Sequence, residues 1–281
     1  MHIISIIYTC IFLSLLSTSI SAEIVKLENN NMVIVADYLE GTDKKNPVII
    51  LHGLLQTHEF STVNRLATTL NESGYTVVSP TLSLGISNRK QSLSCEAIHT
   101  HSMDSDTAEL KQWINWLQKK SGKKVNIIGH SAGGPTVLNY LEKNKNDIVK
   151  HVILISLAYY ASGPTAYETK EHEKMAHEHI MSTPGQIHNY ALNYCKNYPS
   201  YAENFLSYYK WNTDKVSEVV GKFSHIISII IGTEDKRIDS NWRINLNKKH
   251  HNVISIDGAN HFFDQSHEFD LNDTIESLLN K

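Results

Sequence analysis

Three side chains whose chemistry depends on one another follow apolar segments of this 281-residue chain: Ser131, Asp235 and His261. A serine hydroxyl is a poor nucleophile unless a base takes its proton, and a histidine base needs a carboxylate to hold its tautomer. Ser131 lies in the pentapeptide Gly-His-Ser-Ala-Gly, directly after an apolar segment. When a strand precedes such a Gly-x-Ser-x-Gly pattern and a helix follows it, the serine is presented at a sharp turn. These residue types predict nucleophilic attack on an acyl carbonyl.

The flanks of the pentapeptide have the strand and helix patterns that the turn requires. Residues 125–128, Val-Asn-Ile-Ile, are typical of a strand, and residues 132–141 carry small and apolar side chains at helical spacing. Gly129 and Gly133 avoid the clash that side chains would cause in so tight a turn. A glycine-rich turn without a chemical role is the alternative, and the flanking pattern favours the nucleophile.

The expected acid and base each follow a later apolar segment. Residues 223–231 predict a buried strand, so that Asp235 would lie at the carboxyl end of that strand, where open α/β sheets place their sites. Residues 253–256 predict another short strand, and His261 follows it in a loop. The order serine, aspartate, histidine along the chain differs from the orders of the chymotrypsin and subtilisin types.

In this order and in these motifs the chain resembles the α/β-hydrolase fold, from about residue 46 to the C terminus. The family's acid in Gly-x-x-Asp corresponds to Asp235, with Glu234 and Asp239 as competitors, and its late Gly-x-x-His corresponds to His261. The resemblance implies an α/β fold with a mainly parallel central sheet flanked by helices on both faces. It also implies a serine hydrolase of the esterase or lipase kind that needs no cofactor.

A further matching segment is the apolar stretch at residues 47–55, which ends a strand in His-Gly. The family uses the loop after this strand to donate one backbone N–H to the oxyanion, and the residue after the nucleophile donates the other. By position these donors are Leu54 and Ala132, and a backbone amide suffices whatever the side chain. The residues expected to contact substrate are His52, Gly53, His130 and Tyr159.

Composition and patterning predict a single catalytic domain over residues 23–281. The net charge is −3 and no long basic stretch occurs, which excludes an electrostatic footprint for nucleic acid. Strand-like and helix-like segments alternate along the chain, as in a parallel sheet covered on both faces. The expected partner is a small-molecule acyl substrate.

The segment of residues 159–222, after the sixth strand, departs from this alternation and predicts a helical cap. Nine of the thirteen tyrosines lie between Tyr159 and Tyr209, which suits either an aromatic substrate pocket or the core of a small subdomain. His172 and His177 resemble a zinc-protease helix, but they are five residues apart rather than four and would not share a face. A charged, solvated cap helix is the better interpretation.

The first 22 residues predict a secretory signal, because a short apolar segment precedes small residues. We expect a secreted or periplasmic protein without stable membrane insertion once the signal is removed; an uncleaved anchor is the alternative. Two cysteines then remain, and Cys95 and Cys195 form either a disulfide or two free buried thiols. Cys95, His99 and His101 lack the paired spacing of a zinc site, so no metal is expected.

The bond that is cut stays open at this point. A serine peptidase, an amidase or a thioesterase could use the same three residues, since fold analogy does not choose among them. A hydrolase scaffold that only binds ligands is a different class of function. Such proteins usually lack one member of the three, and this chain has all of them.

Overall fold

The computed structural model describes residues 22–29, 31–42, 44–250 and 252–281. The predicted signal segment, residues 1–22, lies outside these described residues except for its last position. Within the described ranges, no helix is both long enough and apolar enough to cross a bilayer.

Within these described ranges the chain forms ten strands and eight α-helices. The strands are β1 (Glu23–Asn29), β2 (Met32–Leu39), β3 (Val48–Leu51), β4 (Val77–Thr81), β5 (Val125–His130), β6 (Val149–Ile155), β7 (Ile187–Leu192), β8 (Cys195–Tyr201), β9 (Ile227–Gly232) and β10 (Val253–Ile256). The helices are α1 (Ser61–Glu72), α2 (Met103–Ser121), α3 (Gly133–Lys143), α4 (Ala166–Ser182), α5 (Ala202–Tyr209), α6 (Thr213–Lys222), α7 (Ser240–Lys249) and α8 (His267–Leu279).

Eight strands form one sheet in the order β1-β2-β4-β3-β5-β6-β9-β10. The pairs β1–β2 and β2–β4 are antiparallel, and the remaining pairs from β4 to β10 are parallel. β4 lies on one side of β3, and β5 and the later strands of the sheet lie on the other, so the order in which strands are added reverses at β3. Because these strands are parallel, the carboxyl ends of β3, β5, β6 and β9 lie along one edge of the sheet. The predicted mainly parallel sheet is confirmed, and this edge is where a ligand site is expected.

Both faces of the sheet are buried, which explains why its strands are apolar throughout. In β3, Val48 and Ile50 pack into the core beneath α1 and α8, whereas Ile49 and Leu51 pack into the core beneath α2, α3 and α6. Alternate residues of a strand point to opposite faces, so one apolar run serves two cores. The helices on both faces confirm the predicted α/β class.

The insertion between β6 and β9 is not purely helical, and the prediction of a helical cap is wrong in this respect. Residues 159–222 contain α4, α5 and α6, but also an antiparallel hairpin of β7 and β8. Leu192 pairs with Cys195 across the hairpin, and Asn193 makes the turn at a φ of 58°. Asparagine tolerates this left-handed conformation better than most residues. Tyr190 and Tyr198 pair across the hairpin and are both fully buried, so the aromatic residues do not show the alternation that would predict a strand.

The cap is joined covalently to the long loop between β4 and α2. Cys95 in that loop and Cys195 at the start of β8 form a disulfide, 100 residues apart in sequence. The loop also pairs with the cap through its backbone, because the N–H of His99 donates to the carbonyl of Pro199 at 2.8 Å. The loop and the cap hairpin therefore form one connected unit above the edge of the sheet.

Candidate active site

Ser131 occupies a strained turn between β5 and α3. Its φ is 54°, a left-handed value that is uncommon for a residue with a side chain. Gly133 is required here because a Cβ at this position would lie 2.5 Å from the carbonyl oxygen of His52. The N–H of Ser131 donates to the carbonyl of Ile155 at 2.9 Å, which ties the turn to the end of β6. Sequence and structure agree on the local strand, turn and helix.

Asp235 lies in the loop after β9 and its carboxylate is almost fully buried. Its Oδ1 accepts hydrogen bonds from the N–H groups of Arg237, at 3.0 Å, and Ile238, at 3.3 Å. Burial alone would raise the pKa of Asp235. His261 offsets that effect through its hydrogen bond and its charge, and the Ser156 hydroxyl and the Arg237 amide add further hydrogen bonds. Together these interactions lower the pKa of Asp235 below its usual value.

The competing acids point elsewhere. Glu234 is exposed to solvent. Asp239 caps α7, where its Oδ1 accepts from the N–H groups of Asn241 and Trp242. Neither carboxylate contacts His261, so the structure brings Asp235 alone of the three to the histidine.

His261 joins the serine to the aspartate, although the three residues are far apart in sequence. Its Nδ1 lies 2.8 Å from Oδ2 and 3.0 Å from Oδ1 of Asp235, and its Nε2 lies 2.9 Å from Oγ of Ser131. Because an ionised carboxylate only accepts, the proton belongs on Nδ1, which leaves Nε2 free to accept from the serine hydroxyl. We refer to Ser131, His261 and Asp235 as the candidate triad.

Two buried residues form hydrogen bonds with the backbone carbonyl of His261. Nε2 of His130 lies 3.0 Å from the carbonyl oxygen of His261, and the Ser156 hydroxyl donates to the same oxygen at 3.2 Å. Burial, and then the nearby His261, lower the pKa of His130 to about 3, so the ring stays neutral and its Nε2–H donates. His130, predicted to contact substrate, therefore lies beneath the histidine loop.

Sequence analysis missed Ser156, which follows β6. Its φ of 48° repeats the left-handed geometry of Ser131 at the neighbouring strand end. A small polar residue directly after an apolar strand was the available signal, and it is a weak one.

The candidate oxyanion donors lie on the other side of Ser131. Leu54 belongs to a tight turn in which Gly53 donates its N–H to Oε1 of Gln56 at 3.0 Å. A Cβ on Gly53 would come within 3.3 Å of Cβ of Ser131, so this loop borders the serine directly. In the described chain, the N–H groups of Leu54 and Ala132 are not used in hydrogen bonds to other protein atoms. Ala132 also starts α3, where the helix dipole favours negative charge.

His52 positions this loop with both nitrogens of its ring. Nδ1 lies 2.8 Å from the carbonyl of Gly53, and Nε2 accepts from the N–H of Leu82 at 3.1 Å. Burial, and then the charge of Arg89, lower the pKa of His52 to about 3, so the ring is neutral. The structure therefore places His52 as a support of the loop, with its ring only 2% exposed.

Arg89 is a second support of the loop that sequence analysis missed. Its guanidinium donates to the carbonyls of Leu82 at 2.6 Å, Gln56 at 2.7 Å and Gln91 at 2.7 Å. We refer to the loop after β3, residues 52–56, as the oxyanion loop. Three carbonyls around one planar guanidinium fix this loop against the loop after β4. A lone arginine in a long loop carries no sequence signal for such a role.

A cavity of about 790 Å³ lies between residues of the cap and the loops that carry His261 and Asp235. Tyr159, predicted to contact substrate, lies in its wall, together with Phe262 next to His261 and Tyr194 of the cap turn. The Tyr194 hydroxyl donates to the carbonyl of Leu54 at 2.9 Å, which links this wall to the oxyanion loop. The volume of this cavity is in the range of small-molecule sites, and its walls include residues next to His261 and Asp235.

The histidines that first suggested a metal belong to a buried polar cluster of His101, Asp106, Tyr198 and Tyr208. Nδ1 of His101 lies 3.2 Å from Oδ2 of Asp106, and Tyr208 donates to the same oxygen at 2.6 Å. His99 stacks on the ring of Tyr198 at 4.0 Å. Among the described residues no group of three or more metal-ligating side chains converges.

Residues 46–183 match the sequence model of a family described as the alpha/beta hydrolase fold. A search of curated protein sequences finds no match.

Solved structures match over nearly the whole chain. Est1E from Butyrivibrio proteoclasticus shares 17% identity at a TM-score of 0.64, over 92% of this chain and 99% of that chain. Monoacylglycerol lipase from Paleococcus ferrophilus shares 18% identity at a TM-score of 0.63, over 88% of this chain and 98% of that chain. A soluble variant of monoglyceride lipase from Saccharomyces cerevisiae shares 12% identity at a TM-score of 0.68, over 94% of this chain and 96% of that chain.

The family match, the sheet order and these structural neighbours agree with one another. The chain has the alpha/beta hydrolase fold.

Proposed function

We propose that this protein is a serine hydrolase that cleaves carboxylic esters through an acyl-enzyme intermediate. The observation that carries the proposal is the line from Asp235 through His261 to Ser131, with its short contacts at both nitrogens of the ring. This arrangement matches the nucleophile, base and orienting acid of acyl-transfer enzymes. The two lipases among the structural neighbours support an ester substrate, and a thioesterase domain among them makes a thioester the main alternative.

In the first half of the reaction, Oγ of Ser131 attacks the ester carbonyl carbon while Nε2 of His261 takes the hydroxyl proton. Asp235 stabilises the imidazolium that forms. The N–H groups of Leu54 and Ala132 hold the oxyanion of the tetrahedral intermediate. As the ester C–O bond breaks, His261 returns its proton to the departing alcohol, which leaves the acyl group on Ser131.

In the second half, a water molecule attacks the acyl-enzyme and gives its proton to Nε2 of His261. The second tetrahedral intermediate collapses, the bond to Oγ breaks, and His261 returns the proton to Ser131. The product is a carboxylic acid. No step requires a cofactor.

The proposal is tested with p-nitrophenyl esters of increasing acyl length, together with matched amide and thioester substrates. We expect kcat/KM to be highest for esters of short or medium acyl length. Faster turnover of the amide or the thioester would contradict the ester assignment and favour a peptidase, an amidase or a thioesterase. Hydrolysis that persists after Ser131→Ala would contradict the mechanism as a whole.

We also propose that the protein acts in an oxidising compartment, as a secreted or periplasmic enzyme. The disulfide between Cys95 and Cys195 supports this location, because such bonds rarely persist in a reducing cytosol. Cell fractionation tests it, with the enzyme expected outside the cytoplasm and without its first 22 residues. Recovery of the full-length chain from the cytoplasm would contradict it.

A further inference from the structure

The guanidinium of Arg237 lies in the cavity wall against two aromatic rings. It lies 4.8 Å from the ring centre of Phe262 and 6.0 Å from that of Tyr194. Phe262 follows His261, and Tyr194 is bonded to the oxyanion loop. The backbone N–H of Arg237 donates to Asp235 at 3.0 Å, so the arginine also starts from the loop of the triad acid.

The guanidinium of Arg237 has no anionic partner in the part of the chain that the structure describes. It forms no salt bridge there, and its side-chain N–H groups donate to no protein acceptor. Stacking on a ring occupies the face of a guanidinium and leaves the N–H groups at its edge available. Those groups match the two oxygens of a carboxylate.

The charges that surround the cavity favour an anion. Three charged residues lie in its wall: Lys236, Arg237 and Asp239. The carboxylate of Asp239 is engaged at the start of α7, where it accepts from two backbone N–H groups. Lys236, like Arg237, forms no salt bridge among the described residues. Two free cations therefore face the cavity against one carboxylate that already has partners.

We propose that Arg237 binds a carboxylate carried by the substrate, so that the enzyme prefers acyl esters with a negative charge. The proposal rests on the esterase function proposed above. The carboxylate could belong to the acyl group or to the alcohol, and both supply the same chemistry. Arg237 would then be a specificity-determining residue that touches substrate but takes no part in proton transfer.

The test compares charged and neutral esters of matched size. For the acyl side, mono-p-nitrophenyl glutarate is paired with p-nitrophenyl valerate. For the alcohol side, the butyrate ester of p-hydroxybenzoate is paired with that of p-hydroxyacetophenone. The measured quantity is the ratio of kcat/KM for the anionic ester to that for the neutral ester in each pair.

In wild type we expect this ratio to exceed one in the pair whose carboxylate reaches Arg237. Arg237→Gln should lower it about 10- to 100-fold, mainly through KM, since a charge-assisted hydrogen bond is lost. Arg237→Lys should restore part of the ratio, because it keeps the charge but not the planar group. Added salt should lower the ratio in wild type more than in Arg237→Gln.

Lys222→Gln is the matched control. Lys222 is exposed, lies 5.3 Å from the ring centre of Phe223, and is outside the cavity wall. Its substitution removes one positive charge and one cation–π contact, and it should leave the ratio at its wild-type value.

The outcomes separate the two proposals. Hydrolysis that depends on Ser131, with a ratio near one in both pairs or with equal losses on both esters in Arg237→Gln, would overturn the role of Arg237 alone. Failure of wild type to hydrolyse any of the four esters would overturn the esterase function, and this inference with it.

Discussion

Two buried pairs of aspartate and histidine in this molecule have related arrangements, although Nδ1 of His101 also lies 2.5 Å from the hydroxyl of Tyr208. His261 Nδ1 lies 2.8 Å from Asp235, and His101 Nδ1 lies 3.2 Å from Asp106. In both, a hydroxyl lies near Nε2 on the far side of the ring. That hydroxyl belongs to Ser131 at 2.9 Å in one pair, and to Tyr198 at 3.2 Å in the other.

The third residue makes the difference between the pairs. Ser131 is partly exposed, on a strained turn beside two free backbone N–H groups. Tyr198 is fully buried, and burial, with the charge of Asp106 second, raises its pKa well above the usual value. An aspartate–histidine contact is therefore insufficient for catalysis. The hydroxyl must also be reachable and must face donors that can hold an oxyanion.

The largest expected effect follows from Ser131→Ala. This substitution removes the nucleophile, so kcat/KM for p-nitrophenyl butyrate should fall on the order of 10⁴- to 10⁶-fold. Stopped or steady-state absorbance assays measure the loss, and circular dichroism checks that the fold is intact. Activity near the wild-type value in a folded variant would contradict the role of Ser131 as the nucleophile.

The matched aspartate substitutions separate catalysis from stability. Asp235→Asn should lower kcat about 10⁴-fold, because the amide favours the wrong histidine tautomer. Asp106→Asn should keep most of the activity and lower the free energy of unfolding by about 1–3 kcal/mol, because it disturbs a buried hydrogen-bond network. Kinetics and urea denaturation on both variants measure the two effects. A comparable loss of kcat in both would mean that the two pairs are not functionally distinct.

The disulfide should stabilise the region around the buried polar cluster of His101, Asp106, Tyr198 and Tyr208. It joins the loop that carries His101 to the strand that carries Tyr198. Replacing Cys95 and Cys195 by alanine should lower the free energy of unfolding by about 2–5 kcal/mol, chiefly because the unfolded chain gains freedom. Urea denaturation with and without reductant measures it, and the double variant should not respond to reductant. Identical curves for wild type and variant would contradict this prediction.

The last expected effect depends on pH and concerns a buried carboxyl near the cluster. Burial raises the pKa of Glu109 to about 7 from an ordinary value of 4.5, although the N–H of Ser83 and the charge of Arg89 oppose the shift. The folded state therefore prefers protonated Glu109. Its contribution to stability is present below pH 4.5 and is lost as the pH rises to about 7.

Glu109→Gln removes this dependence. The free energy of unfolding of wild type, minus that of the variant, should fall by up to about 3 kcal/mol between pH 4.5 and 7. Asp235 has the opposite sign, because its lowered pKa makes its contribution full above pH 3.8 and lost only at lower pH. Urea denaturation between pH 4.5 and 7 measures the Glu109 effect, and denaturation below pH 3.8 measures that of Asp235. A difference for Glu109→Gln that does not change with pH would contradict the assignment.

The comparison also explains what the sequence could predict. Ser131, Asp235 and His261 each follow an apolar strand within a short motif, so local pattern and chain order suffice to identify them. The parallel sheet is predictable for the same reason, since alternating strand and helix segments are local signals.

The cluster and the supports of the oxyanion loop were not predictable in this way. Tyr198 is 97 residues from His101, and the contact depends on how the cap folds over the loop. Arg89 is fixed by carbonyls, which every residue possesses, so its role leaves no trace in residue types. The hairpin of β7 and β8 was missed because aromatic richness fits a helical core and a strand pair equally well.

The most direct test of the central claim is labelling with a fluorophosphonate probe, followed by mass mapping of the modified residue. The probe reacts only with a serine that a neighbouring base activates. We predict stoichiometric labelling of Ser131 in wild type and in Asp106→Asn, with labelling lost in His261→Ala. An unlabelled wild-type protein, or a label on any other residue, would contradict the account.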